Sequence, residues 1–265
     1  MQNVLVLQSV GPYAPVWQRR CMVSVEQWAQ RQDYTYRALG DDLFDPVPDW
    51  YLAKARGRMP IAADLGRLQW ASQMLNQGYD WVIWFDADVL VFAPDMLEID
   101  LQQACTFGQE HWVQLKSGTQ NRWEVRKNIH NAFAAFPVHC PLLPFLIDLV
   151  LRMMRRVDPD HIAPQMMGPK LLSSLHNLAD FDVRPDIGAL SPAVTQAVAG
   201  DHATVDALTA LCRAQPQPLV AVNLCASLES QLNFDDLSGD EIMHRVIDSL
   251  LCCPQGLLQP SDLGA

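Results

Sequence analysis

Short apolar runs alternate with helix-like apolar spacing along the first third of the chain. The run "NVLVLQSV" predicts a first strand, and the spacing from Val16 to Gln30 predicts a helix. "DYTYRAL" alternates aromatic or β-branched residues with polar ones, which predicts a second strand, and "GDDLFDPVPDW" predicts a loop. A helix through "IAADLGRLQWASQMLNQG" then has Pro60 near its start and Gly78 at its end.

The stretch "YDWVIWFDADVLVFAP", from Tyr79 to Pro94, predicts a third strand. The order strand, helix, strand, helix, strand indicates an α/β fold with a mostly parallel central sheet that is flanked by helices. Later segments predict two more strands ("TFGQEHWVQLK" and "IHNAFAAFPV"), a helix from Pro141 to Arg156, a short helix after "MMGP", and a late strand "PLVAVNL". The sheet is therefore predicted to be mixed but mostly parallel.

The chain is expected to form one domain, with a core over about 1–225 and an acidic, helical C-terminal tail over about 226–265. A formal net charge of −11 argues against nucleic acid or an anionic membrane surface as the main partner. Seven scattered cysteines without a CxxC pair indicate reduced thiols. The sequence shows no signal-peptide pattern and no apolar run long enough for a membrane span, so we expect a cytoplasmic protein.

Two carboxylates, Asp86 and Asp88, interrupt the third predicted strand. Buried charges without partners are costly, so a metal, a ligand, a basic neighbour or solvent at a strand end must compensate them. In a strand, residues i and i+2 face the same way, about 6.5–7 Å apart, which disfavours ionising both without a cation. Mg²⁺ or Mn²⁺ holding a phosphate meets that need, and ligands of open α/β sheets bind at the carboxyl ends of strands. A metal or ligand site is therefore predicted here.

Four segments in the same order resemble nucleotide-sugar-dependent glycosyltransferases of the GT-A fold. "FDADVLV" resembles their DxD motif, and the strand leading into it is also similar to that of galactosyltransferase-type families. "ADLGRL" (Ala63 to Leu68), "HNAFAAFPVHCP" (His130 to Pro141) and "MGPKLL" (Met167 to Leu172) are similar to segments of the glycosyltransferases with a sugar-binding DXD region. Together the four cover roughly Gln8 to Leu175.

The resemblance implies a Rossmann-like GT-A enzyme that uses Mn²⁺ or Mg²⁺. It would move a hexose-type sugar from a UDP- or GDP-sugar to a saccharide, lipid-linked or protein acceptor, with retention of configuration. Asp88 would bind the metal directly, and Asp86 would bind it through water or hold sugar hydroxyls. Arg67 would contact the donor sugar or phosphate, which makes these three the candidate catalytic residues. Asn223 stands where relatives often carry a His and is the candidate third metal ligand.

The same resemblance assigns further donor-binding residues. Asp64 would hold sugar hydroxyls, although Asp64 and Arg67 could instead form a surface ion pair on a helix. Asn131 would line the donor or acceptor pocket. Tyr13 or Trp17, just after the first strand, would stack on the nucleotide base.

An acceptor or phosphate side is expected around "PQMMGPK". Gln165 would face the acceptor, Gly168 belongs to the Gly-Pro that precedes the short helix, and Lys170 would pair with a phosphate.

The same residues fit two other functions. An apolar strand that ends in D-x-D also resembles the motif of haloacid-dehalogenase-type phosphohydrolases, in which Asp86 would be the nucleophile and Asp88 a general acid with Mg²⁺. A nucleotide-sugar-binding protein without catalysis is the second alternative, which the replacement of the expected His by Asn223 suggests.

Overall fold

The structure is a computed structural model that describes residues 2–102, 104–119, 122–234 and 236–263. Within these ranges nine strands form two sheets. In chain order the strands are β1 (Val4–Ser9), β2 (Thr35–Leu39), β3 (Trp81–Phe85), β4 (Val89–Val91), β5 (Thr106–Leu115), β6 (Trp123–Pro137), β7 (Asp182–Arg184), β8 (Ile187–Ala189) and β9 (Ala221–Asn223).

Helices cover both faces of the larger sheet. The α-helices in the described ranges are α1 (Val16–Arg31), α2 (Asp49–Ala55), α3 (Met59–Asn76), α4 (Leu142–Arg156), α5 (Pro169–Leu175), α6 (Pro192–Val198), α7 (Val205–Ala214) and α8 (Gly239–Leu251).

The larger sheet has six strands in the order β2-β1-β3-β6-β5-β7. The pairs β1–β2, β1–β3 and β5–β7 are parallel, whereas β3–β6 and β5–β6 are antiparallel. The smaller sheet has the order β4-β9-β8. The predicted α/β class, with a mixed and mostly parallel central sheet between helices, is confirmed.

The first four residues of the central strand β1 are apolar because both faces of the strand are covered there. Val4 and Val6 pack into a core with α1, α6, α7 and α8, while Leu5 and Leu7 pack into a second core with α2, α3 and α4. A strand buried on both faces reads as a continuous apolar run, since neither face meets water.

The predicted elements differ from the structure in four places, one of which is the strand predicted to begin at Ile129, since β6 begins at Trp123. The predicted loop "GDDLFDPVPDW" is wrong at its end, because α2 begins at Asp49, where its buried Tyr51 donates a hydrogen bond to the Ile61 carbonyl. The third predicted strand is two strands, β3 and β4, which lie in different sheets. The short elements β7, β8, α6 and α7 were not predicted, since three-residue strands and seven- to ten-residue helices carry little periodicity.

The acidic tail forms the predicted helix. Ser238 and Glu241 form a capping box at the start of α8, which satisfies backbone donors at that helix end. Five side chains of α8 are buried in the same core as β1 and β3. The division into a core and an extension within one domain stays a prediction. No helix in the described ranges is long and apolar enough to cross a membrane.

Candidate active site

A cavity of about 850 Å³ opens at the carboxyl ends of β1 and β3. β2 and β3 lie on opposite sides of β1, so the strand order reverses there and leaves a crevice in which ligands of open α/β sheets bind. Ser9 at the end of β1 lines the cavity, and so do Asp86 and Asp88 just after β3. The sequence prediction that these two carboxylates follow a buried strand at the ligand edge agrees with this placement.

Asp86 and Asp88 do not lie within one strand. They occupy the turn between β3 and β4, in which the Val89 amide donates to the Asp86 carbonyl. The prediction that the Asp86 and Asp88 side chains share one face of a strand is therefore wrong. The chain leaves the larger sheet at Asp86 and enters the smaller sheet at Val89, and this change of sheet places both carboxylates at the cavity.

Arg67 joins two of the sequence motifs. Its guanidinium lies 3.0 Å from Asp86 Oδ1 and 3.5 Å from Asp64 Oδ1, and its Nη1 donates to the Asn131 carbonyl at 2.7 Å. Asp86 Oδ1 also accepts a hydrogen bond from Trp84 Nε1 at 2.6 Å. The Asp86 charge therefore has two donors, and the Arg67 charge lies between two carboxylates.

Asp64 and Arg67 are buried, so the alternative of a surface ion pair is wrong. Their side chains are 7% and 9% exposed. Asp64 Oδ1 accepts a hydrogen bond from Asn131 Nδ2 at 2.8 Å. Burial raises the pKa of Asp64 to about 6, although Arg67 and the Asn131 hydrogen bond lower it. Asp64, Arg67, Asp86 and Asn131 thus form one hydrogen-bonded network, which lines the cavity.

Asp88 has fewer partners than Asp86. Its Oδ2 accepts one backbone hydrogen bond, from Ala226 at 2.8 Å, and its carbonyl accepts from Leu224. Burial of its carboxylate and the nearby Asp86 charge raise the pKa of Asp88 to about 6. A cation would relieve both effects, since it favours the charged form of the carboxylate.

The oxygen atoms at this turn fit a divalent cation that is held partly by its ligand. Asn223 Oδ1 already accepts the Cys225 amide at 2.5 Å, which leaves it one lone pair. In the described part of the chain, no group of three or more His, Cys, Asp or Glu side chains could hold a metal. Mg²⁺ and Mn²⁺ are commonly held by one or two carboxylates plus substrate phosphates, and Asp88 with Asp86 fits that arrangement. A site built entirely from protein ligands does not fit.

The structure does not bring Tyr13 or Trp17 to the cavity. Trp17 is fully buried in the core under α1, and its Nε1 donates to Glu229. Neither face of its ring is open to a nucleotide base, so the predicted stacking role of Trp17 is wrong. Tyr13 is 97% exposed and is not among the described residues that line the cavity.

The three residues expected on the acceptor side have different positions. Gln165 lines the cavity. Gly168 packs against the network, because a Cβ at this position would lie 2.7 Å from Asn131 Nδ2 and 2.8 Å from Asp64 Oδ1. Lys170 is exposed, and the described lining does not include it.

One wall of the cavity was missed from sequence. Residues that alternate along β5 and β6 line it, namely Glu110, Trp112, Gln114, Arg126, Asn128 and His130. The sequence hides this face, because Glu110, Trp112 and Gln114 recur at every second position of a predicted strand but the intervening Gln109 and His111 are polar as well.

The chain matches no protein-family profile and no curated protein. It is similar in structure to a glycosyltransferase involved in the glycosylation of the major capsid of PBCV-1 (13% identity, TM-score 0.49, covering 91% of this chain and 98% of that one). It is also similar to the galactosyltransferase LgtC in complex with donor and acceptor sugar analogs (11%, 0.47, 92% and 95%) and to A197 from STIV (14%, 0.29, 67% and 78%). Two of the three are glycosyltransferases, the class that the sequence resembles, but TM-scores below 0.5 do not by themselves assign a function.

Proposed function

We propose that the protein is a metal-dependent glycosyltransferase that moves a hexose-type sugar from a UDP- or GDP-sugar to an acceptor. One observation carries the proposal. Two motifs that the sequence offers separately, Asp64-x-x-Arg67 and Asp86-x-Asp88, meet at the crevice through the Arg67–Asp86 ion pair of 3.0 Å. The cavity of about 850 Å³ is within the size range of small-molecule sites, so it is large enough for a nucleotide sugar.

Arg67 acts in this proposal as a positioning residue. Its Nε donates to the Ala63 carbonyl, its Nη1 contacts Asn131 and Asp86, and its Nη2 faces Asp64. A guanidinium engaged on all three nitrogens holds carboxylates in place, because its planar fork fixes their directions. Asp86 is then oriented to accept hydrogen bonds from hydroxyls of the donor sugar. Asn131 and Asp64 line the same pocket.

Asp88, with Asp86, is the proposed attachment point for Mn²⁺ or Mg²⁺. When bound, the cation would neutralise charge on the diphosphate of the donor and on the leaving nucleoside diphosphate. Asn223 is proposed only as a weak additional ligand, since the Cys225 amide already occupies one side of its carbonyl oxygen.

Nucleotide binding and transfer by paired variants test the proposal. Asp88→Asn should keep the fold but lose at least about 100-fold of sugar transfer, together with the Mn²⁺-dependent rise in melting temperature with UDP- or GDP-sugars. Asp95→Asn is the matched control, because Asp95 is an exposed aspartate that pairs with Arg31 on the surface. An Asp88→Asn variant with full transfer activity would contradict the assignment of the site.

The two alternatives give different results in the same assays. In a phosphohydrolase Asp86 would be the nucleophile, with Trp84 and Arg67 orienting its carboxylate. Phosphomonoester turnover without any nucleotide sugar would establish that alternative. Nucleotide-sugar binding without transfer or donor hydrolysis would establish a binding protein instead.

Retention of configuration is proposed from the resemblance. The anomeric proton coupling of the product in NMR spectra tests it.

A further inference from the structure

The cavity wall formed by β5 and β6 has a second, unassigned set of polar side chains. We call it the hairpin face and define it as Glu110, Trp112, Gln114, Arg126, Asn128 and His130. Cross-strand register pairs Glu110 with Asn128 and Trp112 with Arg126. Because side chains alternate between the faces of a strand, these alternate residues share one face. All six line the cavity.

The opposite face of the same two strands belongs to the core. Val113 is buried there with Leu208 and Leu211 of α7, and Val125 packs against the same cluster. One face of the hairpin thus fixes the strands, while the other presents polar groups to the open cavity. This arrangement makes the hairpin face a rigid platform, as binding sites require.

His130 is the most buried residue of the hairpin face. It is 4% exposed, and its Nε2 lies 3.0 Å from the Ile187 carbonyl, so Nε2 carries the hydrogen and Nδ1 carries a lone pair. Among the described residues, Nδ1 has no hydrogen-bond partner. Because Nδ1 is itself shielded from the cavity, His130 anchors the inner end of the hairpin face to β8 through the Ile187 carbonyl.

The position of the hairpin face in the sheet indicates which substrate it takes. β3, which leads to Asp86 and Asp88, lies between β1 on one side and β6 with β5 on the other. A nucleotide at the crevice between β1 and β3 occupies the first side. The hairpin side of the cavity is then left for the second substrate of a transfer reaction.

The chemistry of the hairpin face suits a sugar without charge. The Trp112 ring is partly exposed and offers a flat apolar surface, and Glu110 and Asn128, which bond to each other at 2.8 Å, offer groups for hydroxyls. Arg126 is paired with Glu124 at 2.7 Å, which balances its charge. We propose that the hairpin face is the acceptor subsite and binds an uncharged saccharide whose ring stacks on Trp112. The acceptor role rests on the proposed function, whereas saccharide binding does not.

Saturation-transfer NMR on the full chain tests this proposal. The probes are methyl glycosides of glucose, galactose and mannose, with lactose, maltose and the methyl glycoside of glucuronic acid as a charged comparison. UDP and GDP with Mn²⁺ are measured in parallel. Trp112→Ala should weaken saccharide binding about tenfold and leave nucleotide binding unchanged. Glu110→Gln preserves the shape of the side chain and should weaken saccharide binding too, so a folding defect in one variant does not decide the result.

Trp50→Ala is the matched control, since Trp50 is an exposed tryptophan on α2 that packs on Arg155. Saccharide binding that requires Trp112 but not Trp50 supports the proposal. No saccharide signal, binding that is indifferent to Trp112 and Glu110, or preferred binding of the glucuronide overturns it. Nucleotide binding without saccharide binding would reject the saccharide subsite on the hairpin face and leave the proposed transferase standing. Trp112-dependent saccharide binding without nucleotide binding would reject the proposed transferase and leave the saccharide subsite standing.

Discussion

The guanidinium of Arg67 lies 3.0 Å from the carboxylate of Asp86, although 19 residues separate them along the chain. Arg67 comes from the middle of α3, and Asp86 follows the end of β3. The contact is partly buried, and Trp84 supports it, since its Nε1 donates to the same oxygen and its ring lies 5.4 Å from the guanidinium carbon. The site therefore depends on how one helix packs on one strand.

Removing the arginine should destabilise the fold strongly. Arg67→Ala leaves Asp64 and Asp86 buried without their cation, and we expect a loss of about 3 kcal/mol in the free energy of unfolding. Arg67→Lys should lose less, because it keeps the charge but not the fork. Urea unfolding measures both, and Arg31→Ala, which breaks an exposed pair, should cost less than about 1 kcal/mol. Equal losses for Arg67→Ala and Arg31→Ala would show that the buried network contributes little.

Asp64 should make stability depend on pH. Its pKa of about 6 in the folded protein lies above the value of about 3.9 in an unfolded chain, so the folded state binds more protons between these values. Stability from this group therefore falls as pH rises through that window. Asp64→Asn removes the effect, so the variant should be about 3 kcal/mol more stable than wild type at pH 7.5 and nearly equal at pH 4.

Urea unfolding at pH 4, 5, 6 and 7.5 measures this difference. If Asp64→Asn is instead the less stable protein at pH 7.5, attraction between Arg67 and Asp64 outweighs the cost of burying the carboxylate.

Gly168 should be intolerant of a methyl group. A Cβ there would lie 2.7 Å from Asn131 Nδ2, so Gly168→Ala must displace the network and should cost about 1–3 kcal/mol and weaken nucleotide-sugar binding. Gly40→Ala is the matched control, because Gly40 has a similar backbone conformation but no atom within 4 Å of its Cβ position. Unfolding and thermal-shift measurements compare the two, and equal effects would point to the backbone rather than the contact.

The close approach of the His130 ring should make a glycine necessary at position 108. A Cβ on Gly108 would lie 2.2 Å from the imidazole ring, so Gly108→Ala should destabilise the protein by about 2 kcal/mol. In Gly108→Ala/His130→Ala the ring is absent, and the double variant should be more stable than the sum of the single effects by at least about 1 kcal/mol. A double-mutant cycle from urea unfolding measures this coupling, and strictly additive effects would exclude the contact as the cause.

The principal elements of the first half could be predicted from the sequence, because long periodic segments report burial directly. β1 was predicted from an apolar run, and α1 and α3 from helical spacing. Three-residue strands such as β8 could not be predicted, since their pairing is decided by distant partners such as β9. The strand break at Asp86 was missed for a similar reason, because only the second sheet shows that Val89 has changed partners.

Local residue chemistry determined that Asp86 and Asp88 lie at the end of a buried strand and that Asp64 and Arg67 share a helix. Tertiary packing decided the rest. It buried Trp17, whose position after β1 had suggested contact with a nucleotide, and it made Asp64 and Arg67 an internal pair rather than a surface one. The physical reason is that a sequence pattern records which residues avoid water, whereas the partner of a buried polar group is fixed only when separate elements pack together.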